Sequence, residues 1–366
     1  MGRQHRVRRV PTREENIARL KAMGVSEAEI AELVAQADAD LARQAPQQAA
    51  AGPTPASAPK VRYRLRNWSA YTQALIQRGS LTFWFDEASL QQWCANMRAE
   101  QVGRPTTYSD TAVQCALTLQ AVFHLALRQT QGFVASLLHL LHLDLPTPSY
   151  STLSRRSATL DVPLVRQAPH EHLHLVVDST GLKVFGEGEW KVRQHGWQKR
   201  RTWRKLHLGV DEATGEIVAQ VTTEREVTDD AVLPELLAHV EERIEQVTTD
   251  GAYDTFACYA AIVARAARPV IPPDVNAKDH GTGSARDQTV HRVAEIGRSA
   301  WKEESGYHRR SLAETAMFRM KTIFGRQLAA HTLARQQTEA AIRCRALNRM
   351  TSLGMPDAYP VQDRAA

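Results

Sequence analysis

Two aspartates stand where carboxylates could bind a divalent cation. Asp178 ends the apolar segment 173–178, and Asp250 directly follows the short segment 246–249. Both segments are typical of buried β-strands, and strand ends are where α/β sheets present their ligand sites. If these strands are neighbours, both carboxylates converge on one edge of the sheet. Carboxylates without Cys or His partners suit hard cations such as Mg²⁺ or Mn²⁺.

Other interpretations of these aspartates stay open at this point. Asp178 with Ser179, and Asp250 with Gly251, are also ordinary openings of turns. Further acidic residues nearby compete for the same role, with Asp211 expected in a hairpin turn and two others expected to cap a helix. These competitors are Asp211, Asp229, Asp230 and Asp254.

A third group of chemistry-bearing residues lies near the C-terminus, where Tyr307, Arg310, Glu314 and Lys321 follow each other at helical spacing. On a helix a spacing of seven drifts by only about 20°, and a spacing of four by about 40°, so these side chains would share one face. A carboxylate for a metal ion, with cations for phosphate beside it, is what phosphoryl transfer requires. Alternatively, Ser311 and Glu314 form a capping box, and the two cations belong to a solvated face.

The elements that must position these residues alternate between strands and helices. Three strands joined by hairpins are predicted first, followed by a helix, a strand, a second helix and a further strand. Two helices then close the chain. This order predicts an α/β domain with a mixed sheet, compatible with a ribonuclease H-like core. The strands are expected at residues 173–178, 204–210, 216–223, 246–249 and 269–271, and the first two helices at 228–242 and 256–266.

The N-terminal part of the chain has a different character. Residues 1–60 combine a basic arm with an Ala-, Gln- and Pro-rich linker. Residues 61–165 are predicted to be mainly helical. Ser109 caps a helix that is expected to run to about residue 127, and a second helix follows. Residues 149–152 cap a short third helix that carries Arg155 and Arg156. This outline predicts a helix-turn-helix DNA-binding region, and a plain helical bundle is the alternative.

A basic and aromatic segment separates the first two predicted strands. It holds seven cations and three tryptophans, which suits phosphate neutralisation together with base stacking. The alternative is a hairpin whose tryptophans pack on the core while its cations face water. The residues are Trp190, Lys191, Arg193, Trp197, Lys199, Arg200, Arg201, Trp203, Arg204 and Lys205.

Bulk composition is consistent with a protein that acts on nucleic acid inside the cell. The 366 residues are 43% hydrophobic and carry a formal net charge of +6. A basic balance permits a polyanionic partner without proving one. The four cysteines lack metal-binding spacing, which fits a reducing cytosol. No apolar segment is long enough to span a membrane, so we expect a cytoplasmic protein.

Five separated segments resemble the insertion-sequence DDE transposases. Tyr307, Arg310, Glu314 and Lys321 reproduce the Y-(2)-R-(3)-E-(6)-K signature of these enzymes without a gap. The chain around it is similar to the insertion sequence 5 family, and within it to the insertion sequence 903-like subgroup. The resemblance runs from about residue 62 to the C-terminus, in segments 67–81, 176–186, 203–208, 250–254 and 311–321.

The resemblance implies that Asp178, Asp250 and Glu314 are the catalytic triad and the ligands of two Mg²⁺ ions, with Mn²⁺ as a substitute. Water would cleave the ends of the element, and the freed 3′-hydroxyl would attack target DNA at the same site. It also implies double-stranded DNA as partner, a homodimer or larger assembly on DNA, and a ribonuclease H-like catalytic domain at 170–350 before a tail at 351–366. Two alternatives remain, a catalytically inactive DNA-binding derivative and a metal-dependent nuclease that does not join strands.

Overall fold

Two helices of the N-terminal half begin where their capping residues, Ser109 and Ser149, predict. In the computed structural model, which describes residues 62–94, 107–166, 172–184 and 203–361, the Ser109 hydroxyl accepts the Ala112 N–H at 3.0 Å and starts a helix at Asp110. That helix ends at Val122, before the expected residue 127, since the chain turns left-handed at His124 (φ 53°). The helices here are α1 (Trp68–Gln77), α2 (Leu81–Trp84), α3 (Glu87–Gln91), α4 (Asp110–Val122), α5 (Leu127–Leu140) and α6 (Tyr150–Arg156).

A six-stranded mixed sheet forms the centre of the larger part of the described chain; the sequence predicts a mixed sheet and five of its strands, but not the sixth. Its strands are β2 (Leu173–Val184), β3 (Trp203–Asp211), β4 (Ile217–Glu224), β5 (Ile244–Thr248), β6 (Arg268–Val270) and β7 (Gln327–Leu328). The order is β4-β3-β2-β5-β6, and β7 pairs with the far end of β2. The first three strands are antiparallel, whereas β5 and β6 run parallel to β2. This arrangement fits a ribonuclease H-like core.

Helices cover both faces of the sheet because β2 alternates its apolar side chains. Leu173, Leu175 and Val177 pack on one side with α7 (Asp229–Ala238) and α8 (Phe256–Ala264). Val176 and Leu182 point to the opposite side, where the core also includes side chains of the last two helices. The N-terminal helices contribute to this second core through residues such as Leu119.

The C-terminal region contains more helices than expected. α9 (Ala285–Ile296) and α10 (Arg298–Glu304) precede a 3₁₀ turn at Tyr307–Arg310, and α11 (Ser311–Phe324) and α12 (Leu333–Ser352) follow it. The prediction of two closing helices was therefore incomplete. No helix in the described ranges has both the length and the apolar character needed to cross a bilayer.

The described residues fall into two units. Residues Leu65–Asp357 form one, and residues 62–64 belong with 358–361 to the other. The strands β1 (Arg62–Leu65) and β8 (Ala358–Val361) pair as a separate two-stranded sheet.

Candidate active site

Asp178 lies in the middle of the central strand rather than at its end. The prediction that β2 stops at residue 178 was wrong, because β2 stays paired with β3 as far as Lys183 opposite Trp203. Asp178 itself pairs with Leu208 and shares a face with Val176 and Leu182. Its Oδ1 accepts the Ser179 N–H at 2.8 Å, which fixes one carboxylate oxygen.

Asp250 reaches the same face of the sheet from the neighbouring strand. Val176 is in register with Thr248, the last residue of the parallel strand β5. Asp178 and Asp250 each lie two residues further along, and side chains two residues apart in a strand point the same way. The Asp250 carboxylate accepts the Ala252 N–H at 2.9 Å and caps the 3₁₀ turn Gly251–Tyr253.

Glu314 joins these two aspartates from the helix that covers this face. Ala313, Met317 and Met320 of α11 are buried in the same core as Val176, so the first turn of α11 lies beside the sheet. The Glu314 side chain remains 55% exposed. A carboxylate placed in this way is tied to the protein through its helix and stays accessible to a ligand.

Arg310 connects two of the three carboxylates directly. Its Nη1 donates to Asp178 Oδ2 at 3.0 Å, and its Nη2 donates to Glu314 Oε1. Burial raises the pKa of Asp178, and the negative charges of Asp250 and Glu314 act in the same direction, while Arg310 opposes them. Asp250 and Glu314 are thus close enough to Asp178 to influence it electrostatically.

Tyr307 and Arg310 precede the α-helix instead of forming part of it. The expectation of one continuous helical face from Tyr307 to Lys321 was therefore wrong in detail. Gly306 adopts a left-handed conformation (φ 71°), and residues Tyr307–Arg310 form a tight 3₁₀ turn before α11 begins at Ser311. Tyr307 still lies within electrostatic reach of the acidic cluster: burial raises its pKa, Arg310 lowers it, and the charges of Asp250, Asp178 and Glu314 raise it further. The capping box is not formed, since Ser311 is the first residue of the helix and Glu314 bonds to Arg310.

Lys321 lies beside the site, where the polar side of α11 borders the sheet. Its Nζ donates to Thr180 Oγ1, two residues beyond Asp178 on the same face of β2. Burial lowers the pKa of Lys321, and Arg326 adds to the effect. The ammonium group is therefore held close to the carboxylates by a neutral hydroxyl.

The other cations predicted to bind DNA are placed in different settings. Arg155 is exposed at the end of α6, whereas Arg156 bonds to Asp110 and to the Tyr108 carbonyl. Arg204 bonds to Gln336 at 2.7 Å, and Lys205 bonds to Asp229 at 3.0 Å. Lys199, Arg200 and Arg201 lie outside the described residues.

Two competing aspartates have structural partners that no sequence pattern revealed. Asp254 forms a buried ion pair with Arg286 of α9 at 2.8 Å, which anchors the chain just after Asp250. Asp229 accepts from Ser179 Oγ at 2.9 Å on the face of β2 opposite Asp178. Long-range pairing of this kind leaves no periodic signal along the chain.

The chemistry of the three carboxylates fits a divalent cation. All donors are hard oxygens, and the Arg310 guanidinium, as a stand-in cation, already bonds to Asp178 and Glu314. Within the described residues, no group of three or more His, Cys, Asp or Glu side chains is gathered tightly enough to hold a metal ion as it stands. A cation and Arg310 would compete for the same oxygens.

Two comparisons relate this chain to known proteins. The cryo-EM structure of the piggyBac transposase synaptic complex with hairpin DNA is similar over 75% of this chain and 73% of that chain, with 10% identity and a TM-score of 0.32. Two family models, each described as "Transposase DDE domain", match residues 76–187 and 169–349. These matches, which together run from residue 76 to residue 349, support the assignment of this chain to the DDE transposases.

Proposed function

We propose that this protein is the transposase of a bacterial insertion sequence. It binds the terminal inverted repeats, cleaves the ends by metal-dependent hydrolysis, and joins the 3′-hydroxyl ends to target DNA. The observation that supports the proposal is that Asp250 and Glu314 lie within electrostatic reach of Asp178, beside one face of the sheet. The spacing from Tyr307 to Lys321 further supports the insertion sequence 5 family and its insertion sequence 903-like subgroup.

The three carboxylates act as cation ligands in this mechanism. Two Mg²⁺ ions, with Mn²⁺ as a substitute, would supply activation of the attacking hydroxyl and neutralisation of the leaving oxygen. Asp178 is held rigidly by its strand and by the Ser179 N–H, so it provides a fixed ligand. Glu314, on the exposed first turn of α11, is free to adjust as DNA arrives.

The cations beside the carboxylates bind the phosphates of the DNA backbone. Arg310 and Lys321 present charge to the phosphates that flank the scissile bond, and Tyr307 lies against them. Arg310 bonds to Asp178 and Glu314, whose oxygens would hold a divalent cation, so with a cation bound there its guanidinium would be available to a DNA phosphate. Cleavage and joining use the same residues, because only the attacking hydroxyl changes, from water to a DNA 3′-end.

The remaining regions supply DNA recognition and assembly. We assign end recognition to the helical region 61–165, with Arg155 and Arg156, and further backbone contacts to Lys199, Arg200, Arg201, Arg204 and Lys205. The catalytic domain covers 170–350, and two DNA ends are held by a homodimer or a larger assembly. The protein works in the bacterial cytoplasm, on nucleoid DNA.

Cleavage of a labelled duplex tests the proposal. The duplex spans the junction between the element that encodes the chain and its flanking DNA. The wild-type protein should nick it only with Mg²⁺ or Mn²⁺. The Glu314→Gln variant should still bind the duplex, but its cleavage rate should fall by about 100-fold or more, on the order expected for the loss of a transition-state contact. Glu303→Gln, at an exposed glutamate of α10, should cleave normally. Retained cleavage by Glu314→Gln refutes the assignment.

Two further outcomes separate this function from its alternatives. Binding of the end duplex by the wild-type protein without nicking would indicate a catalytically inactive derivative. Nicking without joining of a precut 3′-hydroxyl end to a second duplex would indicate a nuclease without strand transfer.

A further inference from the structure

One aromatic side chain on the helix of Glu314 faces solvent and has no aromatic or cationic partner among the described residues. Phe318 is 68% exposed, more than any other Phe, Tyr or Trp in the described residues. The apolar side of α11 packs in the core, where Ala313, Ala316 and Met320 are buried. Phe318 is therefore not a displaced core residue but an apolar group on the polar side of the helix.

Phe318 lies between two functional groups on that side. It follows Glu314 by four residues and precedes Lys321 by three, so the three side chains fall within about 60° around the helix. Along the axis, Phe318 is about 6 Å beyond Glu314. A ligand strand that runs along the axis of α11 past Glu314 would lie against the Phe318 ring.

The surroundings of Phe318 indicate which ligand fits. Arg310 and Lys321 provide positive charge on either side of the ring along the chain. Within the described part of the chain, the ring makes no aromatic or cation–π contact. A nucleic acid strand fits both features. Its phosphates pair with the cations, and its bases stack on a flat apolar ring.

We propose that Phe318 is a base-stacking residue, which supports an unstacked base of the DNA strand next to the scissile phosphate. This inference rests on the proposed function, because it takes Glu314 to mark the position of that phosphate. Stacking on an aromatic ring tolerates any base, so Phe318 positions the strand without reading its sequence. The ring would hold the end of the strand in place between cleavage and joining.

The test measures binding of the same end duplex in Ca²⁺, by fluorescence anisotropy, with protein variants and with abasic DNA. Phe318→Ala should weaken binding by about 5- to 150-fold, the range of one base–aromatic stack. Phe318→Trp should restore binding and Phe318→Leu should not, because only a ring offers a stacking surface. Val275→Ala, which trims a still more exposed apolar side chain outside α11, should have no effect.

Abasic duplexes identify the base that is stacked. Single abasic sites are placed at each position within three nucleotides of the cleavage site. At one position the loss caused by Phe318→Ala should disappear, because the base that the ring would hold is already absent. A loss that persists at every position, or full function of Phe318→Leu, overturns the inference.

The outcomes also separate this inference from the proposed function. Wild-type protein that binds and cleaves the duplex, with Phe318→Ala equal to it, refutes stacking but leaves the transposase intact. Wild-type protein that neither binds nor cleaves refutes the proposed function and the stacking role with it. Loss of self-association in Phe318→Ala with unchanged DNA binding would mean that the ring contacts a second copy, and the inference fails.

Discussion

Arg310 should stabilise the protein only while no divalent cation is bound. Its guanidinium, 22% exposed, bonds to the nearly buried Asp178 carboxylate at 3.0 Å and to the more exposed Glu314. A hydrogen bond to a buried charged group contributes about 1.5–3 kcal/mol, whereas an exposed ion pair contributes about 0.5 kcal/mol or less. Replacing Arg310 by Ala should therefore lower the free energy of unfolding by about 2 kcal/mol in EDTA.

Divalent cations should reverse this loss. In Arg310→Ala, the Asp178 and Glu314 oxygens are no longer occupied by the guanidinium, so Mn²⁺ should bind more tightly than in the wild type. A ligand that binds only the folded state stabilises it in proportion to the logarithm of its concentration over its Kd. The variant should therefore gain more stability from Mn²⁺ than the wild type does.

The assay combines urea unfolding, with and without MnCl₂, with a Mn²⁺ titration followed by electron paramagnetic resonance. Arg309→Ala is the matched control, because Arg309 is 58% exposed and pairs with Glu212 outside the site. It should change the unfolding free energy by about 0.5 kcal/mol or less. The reasoning is refuted if Arg310→Ala behaves like Arg309→Ala in EDTA, or if Mn²⁺ stabilises both variants equally.

Three other predictions concern pH, packing and salt. Burial lowers the pKa of His207 to about 4, so the unfolded chain binds a proton that the folded protein does not. Stability should then fall as pH drops from about 6.5 toward 4, by up to about 1.4 kcal/mol per pH unit, and a His207→Gln variant unfolded at several pH values should lack this contribution. Asn348→Leu should cost about 3 kcal/mol in thermal or urea unfolding, because the buried Asn348 amide bonds to both the N–H (2.8 Å) and the carbonyl (2.7 Å) of Ile217; an unchanged stability would contradict this. Replacing Lys199, Arg200 and Arg201 together by Gln should make the slope of log affinity against log salt less negative by about 2.7 if all three contact phosphate, and an unchanged slope would place them away from DNA.

Local signals in the sequence predicted much of the sheet and several helix starts. Ser109 and Ser149 are capping residues whose hydroxyls do accept the expected backbone N–H groups. The buried character of the first half of β2 and the hairpin turn at Asp211 likewise depend on residues that are close in sequence. Such features are set by backbone sterics and local hydrogen bonds, which a short stretch of sequence contains.

Features that depend on distant partners were missed or misplaced. The end of β2 was predicted at Asp178, because pairing with β3 as far as Trp203 has no counterpart in the local pattern. α9 was overlooked since its buried residues are Arg286 and Asp287, which are satisfied by Asp254 and by Thr282 rather than by an apolar stripe.

The candidate site likewise combines features that the sequence predicted with contacts that it did not. Spacing placed Arg310, Glu314 and Lys321 near one another, and family resemblance selected Asp178 and Asp250 among the competing acids. Nothing in the sequence indicated that Arg310 bonds to Asp178, because that contact depends on how α11 lies across the sheet. Phe318 could have been noticed as an aromatic residue on the polar side of α11, but its exposure required the structure.

The most direct test of the account is a structure of the protein with its end DNA and Ca²⁺, which supports binding without cleavage. The account predicts that Asp178, Asp250 and Glu314 ligate a common cation site at the scissile phosphate and that Arg310 has moved to a DNA phosphate. Carboxylates that stay apart, with Arg310 still bonded to Asp178 and the scissile phosphate elsewhere, would contradict it.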